Sequence, residues 1–339
     1  MKPRSERTTT LRQIAEVAGV SVTTVAKVLH DVGGNVRVGA ATESKVRDAA
    51  EKLNYVPNGL ARSMRTGKTE TIGLVFEQFG RIGAGPLFYP QLLDGVCSAL
   101  FPLGFRLSVV PSVDLSRPAA SLADGRIDGV IWAKMPDDPA VADALISAGL
   151  PCVALGNRPE SARGVIPLVG CDNLGGSRLV ADHLQRLGHR KAAFVLEAGE
   201  VLNPDARQRL EGFQKAWQGE LEVQTWSSDA REILTWIREP GRATALYAWN
   251  ENLGAAILRE AMDETIAVPG EISVVGFDST QFCETTQPRL TAVNQPIFEM
   301  AYAATRALLD QCQGIPMSRP DQTFSCTLDV RDSTAPPAA

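Results

Sequence analysis

The sequence predicts an N-terminal all-α headpiece built on a helix-turn-helix, followed by an α/β core of two Rossmann-like lobes. Three observations carry this reading. Residues 10–29, "TLRQIAEVAGVSVTTVAKVL", hold two short amphipathic helical patterns separated by a glycine. From residue 71 onward, short β-rich runs alternate with helical patterns in two series of roughly a hundred residues each. Charge divides at the same place: residues 1–68 hold 12 Lys and Arg against 6 Asp and Glu, the remainder 22 against 33, in a chain of 339 residues with net charge −5.

Thr10 followed by Gln13 is a capping box, so the first helix begins near Leu11, and Leu11, Ile14, Ala15 and Ala18 form its apolar stripe. Gly19 supplies the left-handed residue that ends it. Ser21 caps the second helix, which turns Val25, Val28 and Leu29 inward and leaves Val22, Thr23 and Lys27 on the outer face. Such a helix points its N-terminal residues at base edges in a major groove. There Thr and Lys supply hydrogen bonds and Val packs on a thymine methyl. A third helix over 42–54 closes the small core with Val46, Ala49, Ala50 and Leu53, and Tyr55 and Pro57 end it.

A basic linker follows, with Arg62, Arg65 and Lys68 around the apolar Met64. It is shorter than the roughly 12–15 residues an isolated helix needs in water. The expectation is a segment without structure when free that orders against phosphates. In the core, the predicted strands are "TIGLVF", "FRLSVVP", "DGVIWA", "PCVALG" and "PLVGCD", then "KAAFVLE", "EVQTW", "TALYAWN" and "ISVVGFD". Helical patterns such as "QLLDGVCSALFPLG", "ARQRLEGFQKAW" and "ENLGAAILREAM" alternate with them, implying parallel sheets covered on both faces. Ligands of such folds bind beyond the carboxyl ends of the strands, here in the crevice between lobes.

The headpiece, together with "NYVPNGLARSMRTGKTETIGLVF", resembles the start of the lactose/galactose repressor (LacI/GalR) family. "DNLGGSRLVADHLQRLGHRKAAFV", "RLEGF", "VPGEISVVGFDS" and "LTAVNQP" extend the resemblance over nearly the whole chain. The chain departs from the family pattern at Ala26-Lys27, where many members have Ser-Arg, and in the long loop "HDVGGNVRVGAAT". It departs also at Met64, where Leu is usual, at Pro86-Leu87, where Asn-Pro is usual, and at Glu251, where Asp is common.

The resemblance implies a headpiece over 1–57, a hinge helix or linker over 58–68 and a periplasmic-binding-protein-like core over 69–339. Its first lobe would take about 69–173 and 296–320, its second about 174–293 and 321–333, with crossings near 173, 294 and 321. "TFSCTLDVR" would add a strand to the second lobe. It also implies DNA contacts from Val22, Thr23, Lys27, Asn58, Arg62, Met64 and Arg65, with Met64 as an apolar wedge that kinks the duplex from the minor groove. Motif by motif, it places a small-molecule effector against Phe88, Tyr89, Arg209, Trp226, Asn250, Asp278 and Gln295. Aromatic faces and hydrogen-bonding groups suit a sugar-like ligand, although a purine or an organic acid fits the same set. Phe88, Tyr89 and Trp226 are equally compatible with core packing, and Asp278 with capping a turn.

The implied protein is a regulator, expected to repress, that binds a pseudo-palindromic duplex as a homodimer under effector control. The alternatives are a small-molecule carrier and an α/β enzyme. "GRIGAG" lacks dinucleotide spacing, "GKT" at 67–69 lacks the upstream glycine of a phosphate loop, and His30, His183 and His189 have no nucleophile or metal partner in sequence. No cofactor or metal is expected. Six cysteines at 97, 152, 171, 283, 312 and 326 show no C-x-x-C pair and read as buried free thiols. With no signal-like N-terminus and no long apolar run, the expected location is the cytoplasm. The lack of a leucine-heptad tail favours a dimer over a tetramer.

Overall fold

A computed structural model describes residues 9–30, 38–57, 59–76, 87–110, 113–197, 203–226, 231–238, 241–315 and 321–338. The chain divides into two compact units, Met1–Thr69 and Glu70–Ala339. In the first, α1 (Leu11–Ala18), α2 (Val22–His30) and α3 (Ala40–Lys52) enclose a core of Ile14, Ala15, Val25, Val46, Ala49 and Ala50. The capping box forms as the sequence requires: the Gln13 amide donates to Thr10 Oγ1 and the Gln13 side chain accepts from the Thr10 amide. Gly19 takes φ 67°, closing α1 so that α2 can start three residues later. The Ser21 hydroxyl accepts the Thr24 amide at 3.1 Å and caps α2.

The linker is helical in the structure, α4 running from Gly59 to Thr66, which agrees with a hinge helix and corrects the expectation of coil drawn from length. The length limit that argued for coil applies to isolated peptides, which must nucleate with both ends free. Here Tyr55 fixes the preceding chain, its amide donating to Ala50 and its hydroxyl lying 3.1 Å from His30 Nε2. At the other end the Gly67 amide donates to Ser63 with Gly67 left-handed, and the Thr66 hydroxyl donates to Arg62 C=O at 3.0 Å.

The second unit holds two six-stranded sheets. The first comprises β1 (Thr71–Val75), β2 (Arg106–Val110), β3 (Gly129–Ala133), β4 (Cys152–Leu155), β5 (Leu168–Cys171) and β11 (Asp321–Phe324), in the order β11-β5-β4-β3-β1-β2, all parallel. The second comprises β6 (Lys191–Glu197), β7 (Glu220–Trp226), β8 (Ala245–Ala248), β9 (Ser273–Asp278), β10 (Thr291–Asn294) and β12 (Thr327–Asp329). Its order is β12-β10-β9-β8-β6-β7, parallel except for β12. Their central strands are buried apolar runs, as sheets covered on both faces demand.

The helices α5 (Phe88–Leu100) and α12 (Ile297–Cys312) pack on one another against the first sheet, and Gly95 makes this approach possible: a Cβ there would lie 2.4 Å from Phe298 O. The short α6 (Pro118–Leu122) and α7 (Pro139–Ser147) accompany the first sheet's other core. In the second lobe, α8 (Asn173–Leu187), α9 (Pro204–Ala216), α10 (Arg231–Ile237) and α11 (Glu251–Asp263) accompany the second sheet.

The chain passes between lobes three times: after Cys171, after Asn294 and between β11 and β12. The placement of 321–333 wholly in the second lobe is therefore corrected. Residues 321–324 pair with 168–171 in the first sheet, and only Thr327–Asp329 join the second. Asp321 decides this, because its carboxylate accepts the Leu168 amide at 3.1 Å and pairs with Arg158. The cysteines are free, but only Cys152 and Cys283 are fully buried; Cys97, Cys171, Cys312 and Cys326 are half-buried.

Candidate nucleic-acid interface and interlobe crevice

In the first unit the predicted contact residues lie on two helices. Val22 is 45% exposed and Thr23 exposed in the first turn of α2, with Lys27 half-buried one turn on. Val25 points the other way, into the core. On α4, Met64 is 88% exposed, flanked by exposed Arg65 and half-buried Arg62. A thioether in water is unfavourable, about 1.5–3 kcal/mol for a side chain of this size relative to full burial, so its display calls for a partner. Burial lowers the His30 pKa, and the charges of Arg65 and Arg62 add to the effect. Asn58 lies outside the described residues.

In the second unit, α9 aims Arg209 at the carboxyl ends of the second sheet's strands. Arg209 is only 3% exposed. Its Nε donates to Asn173 Oδ1 at 2.9 Å, Nη1 donates to Trp249 C=O at 2.6 Å, and Nη2 lies 3.4 Å from Asp278 Oδ1. The guanidinium also stacks 3.6 Å from the Phe277 ring centroid. Burial by itself would favour the neutral form, but the carboxylates of Asp278 and Asp205 outweigh it and hold the Arg209 pKa above its ordinary value. Asp278 ends β9 at φ 92°, followed by Ser279 at φ 46°, a strained turn for residues with side chains. Gln295, buried on the middle crossing, donates to Asp278 Oδ1.

Glu251 begins α11 fully buried, accepting the Thr280 amide and hydroxyl at 2.7 Å each and lying 3.2 Å from the Cys283 thiol. Burial, and then the charge of Asp278, push its pKa up to about 7. Lys134 follows β3 of the first lobe with φ 57°. Its ammonium lies 5.5 Å from the Phe88 centroid and 5.7 Å from the Trp249 centroid, bridging an aromatic ring of each lobe. The Trp249 indole donates to Glu197 at the end of β6.

The structure thus brings Arg209, Asp278 and Gln295 into one cluster and sets Phe88 across from it. Tyr89 takes a supporting place, stacked on Phe76 at 5.0 Å and edge-on to Phe88. The Asn250 side chain caps α11, its Oδ1 accepting the Leu253 amide at 2.8 Å. Trp226 ends the edge strand β7, opposite Glu197 in register. Sequence reasoning missed Lys134, Asn173, Asp205, Gln208, Glu197 and Trp249. Three of these end or follow a strand, where ligand groups gather, and that rule alone would have found them. Asn173 and Asp205 depend on a contact between the starts of two helices: Asn173 Nδ2 donates to Asp205 Oδ1 at 3.1 Å and to Gln208 Oε1 at 3.2 Å. Groups of three or more potential metal ligands are absent among the described residues.

A family model described as bacterial regulatory proteins, lacI family, matches residues 10–58, and one described as a periplasmic binding protein-like domain matches residues 181–334. The HTH-type transcriptional regulator CelR of Thermobifida fusca is 30% identical over 344 aligned residues, covering 96% of this chain and 98% of that one. DegA of Bacillus subtilis, another HTH-type transcriptional regulator, is 27% identical over 97% of this chain and 98% of its own. Among solved structures, the CelR–cellobiose complex superposes with a TM-score of 0.67 at 27% identity, covering 96% and 99% of the two chains. A lac repressor dimer bound to operator superposes with a TM-score of 0.81 at 24% identity, covering 97% and 100%. A regulator from Enterococcus faecium with bound ribose gives 0.69 at 25% identity, over 78% and 99%.

Proposed function

Since the chain belongs to the LacI family of bacterial transcriptional regulators, we propose that it is a repressor whose hold on operator DNA is set by a small polyhydroxylated molecule bound between its lobes. It acts in the cytoplasm as a dimer on a pseudo-palindromic site. The observation that carries the reading is the buried Arg209–Asp278 pair at the strand ends of one lobe, with Phe88 and Lys134 facing it from the other. Such a pair presents fixed donors and acceptors to hydroxyl groups, and the aromatic rings suit the C–H face of a sugar. The CelR–cellobiose and ribose-bound relatives support the same ligand class.

A ligand touching both lobes favours one interlobe angle over another, and that preference is the coupling energy. About 1–3 kcal/mol changes operator affinity roughly 5- to 150-fold. On the DNA side α2 enters a major groove through Val22, Thr23 and Lys27. Asn58, Arg62 and Arg65 hold the backbone, and Met64 wedges a minor-groove step. In the crevice, Phe88, backed by Tyr89, forms an aromatic wall, and Arg209, Asn250, Asp278 and Gln295 supply the polar contacts.

A thermal-shift screen of the full-length chain against cellobiose, ribose, sugar acids and nucleobases tests the crevice. A true effector at a hundredfold excess over its Kd stabilises by about 2.7 kcal/mol through mass action. The same compound must change operator affinity in fluorescence anisotropy, and Asp278→Asn must abolish both responses while keeping the circular dichroism spectrum. A shift that survives Asp278→Asn undiminished would place the ligand elsewhere and end this reading.

A further inference from the structure

Strand β3 ends at Ala133, and the next residue, Lys134, takes a left-handed φ of 57°. Residues with side chains hold that conformation only where their surroundings impose it. Here the Lys134 amide donates to Leu155 C=O at 2.8 Å, and Asn157 Nδ2 donates to the carbonyl of the buried Met135 at 2.6 Å. The backbone is thereby fixed on both sides of the lysine, and its half-buried side chain reaches toward the other lobe. A position just past the carboxyl end of a parallel strand is where ligand groups gather in folds of this class.

The charge at its tip meets rings and no anion. Among the described residues no carboxylate pairs with Lys134, whose ammonium lies 5.5 Å from the Phe88 centroid and 5.7 Å from that of Trp249. Two carboxylates of the same region are engaged elsewhere: Glu197 accepts the Trp249 indole N–H, and Asp137, further along the loop that carries Lys134, lies 3.9 Å from Arg207. Arg209 differs, since Asp278 meets it at 3.4 Å. Both cations share the Trp249 ring, which lies 5.6 Å from the guanidinium carbon of Arg209. A molecule whose hydroxyls meet Asp278 and Arg209 can therefore present its other end to Lys134.

We propose that Lys134 reads a negative charge on the effector, so that the crevice selects a sugar acid, an aldonate or a uronate, over the corresponding neutral sugar. The assignment rests on the proposed crevice site and adds the chemical class of its ligand. A carboxylate gives the fixed ammonium the charge-assisted hydrogen bonds that ring faces do not supply. One ammonium matches one carboxylate. A phosphate monoester brings nearly two charges and three acceptor oxygens, and the neighbouring cation is already balanced by Asp278, so a sugar phosphate fits less well. Because Lys134 belongs to the first lobe and Asp278 to the second, an acid held at both ends favours the lobe arrangement in which both contacts are made.

Isothermal titration calorimetry of the full-length chain tests this with matched pairs: gluconate and glucose, galacturonate and galactose, ribonate and ribose, cellobionate and cellobiose, with glucose-6-phosphate beside them. At least one acid is expected to bind about 10- to 100-fold more tightly than its neutral partner, the range of a charge-assisted hydrogen bond. Lys134→Met keeps the stem and removes the charge; it should bring the acid down to the affinity of the neutral sugar, with folding checked by circular dichroism. Lys134→Arg should retain the preference. A neutral sugar bound as tightly as its acid, a phosphate bound more tightly than either, or a preference that survives Lys134→Met would overturn the assignment and leave the crevice site standing. Binding of none of these compounds to the wild type would overturn both.

Discussion

Glu251 shows how one side chain couples the crevice to pH. Its carboxyl is buried against Thr280 and Cys283, and burial and the charge of Asp278 push its pKa up to about 7 from an ordinary 4.5. Between those values the unfolded chain has released a proton that the folded chain keeps. Stability therefore falls as pH rises through this window and levels off above it. Glu251→Gln keeps a carbonyl for the Thr280 amide and an N–H for its hydroxyl, and it cannot ionise. We expect it to flatten the stability–pH curve between roughly pH 5 and 7, where one such group contributes a slope of up to about 1.4 kcal/mol per unit. Urea denaturation at several pH values checks this; a wild-type slope in the variant would show that another group titrates there. Glu251 was legible in sequence only as a departure from the family's Asp. Nothing local announces that it sits beside Asp278 and binds Thr280, since those partners lie 27 and 29 residues away.

At the scale of elements, the headpiece and the linker behaved differently under sequence reading. The helices α1 and α2 were legible because caps, glycine and apolar stripe are all local signals within one or two turns. The length argument misjudged the linker, because its helix borders a neighbour already folded. The helix strengthens the case for Met64, whose side chain it leaves exposed. The expected behaviour of Met64→Ala is a loss of specific operator binding of about tenfold or more, with binding to random duplex almost unchanged, since a wedge matters only where the step is kinked. Competition anisotropy with operator and scrambled DNA measures both. Equal losses on the two would reduce Met64 to general surface packing. The strand pair β11 and β12 gave the opposite lesson: "TFSCTLDVR" reads as one run, and Asp321 pairing with Arg158 splits it between lobes.

For the whole molecule, the charge division is the most consequential feature. A basic first unit on an acidic chain directs polyanion binding to one place and keeps the rest away from phosphates. If Lys27, Arg62 and Arg65 of two copies each meet a phosphate, six counterions are released and the log–log slope of affinity against salt is about −5. Titration of operator binding over a range of salt concentrations tests this, and a slope near zero would remove the paired-headpiece geometry. A single copy holding a half-site as tightly as the full operator would do the same. Among the described residues no helix is long and apolar enough to cross a membrane.

The sequence by itself determined the order of elements, the location of the basic unit and the family, because periodicity, caps and strand-end motifs are written over short stretches of chain. It also named Arg209, Asp278 and Gln295 as a set. Only the tertiary structure decided that they touch, and that Lys134 stands between Phe88 of one lobe and Trp249 of the other. Those contacts arise from strand order and lobe crossing, which bring together residues no local pattern relates.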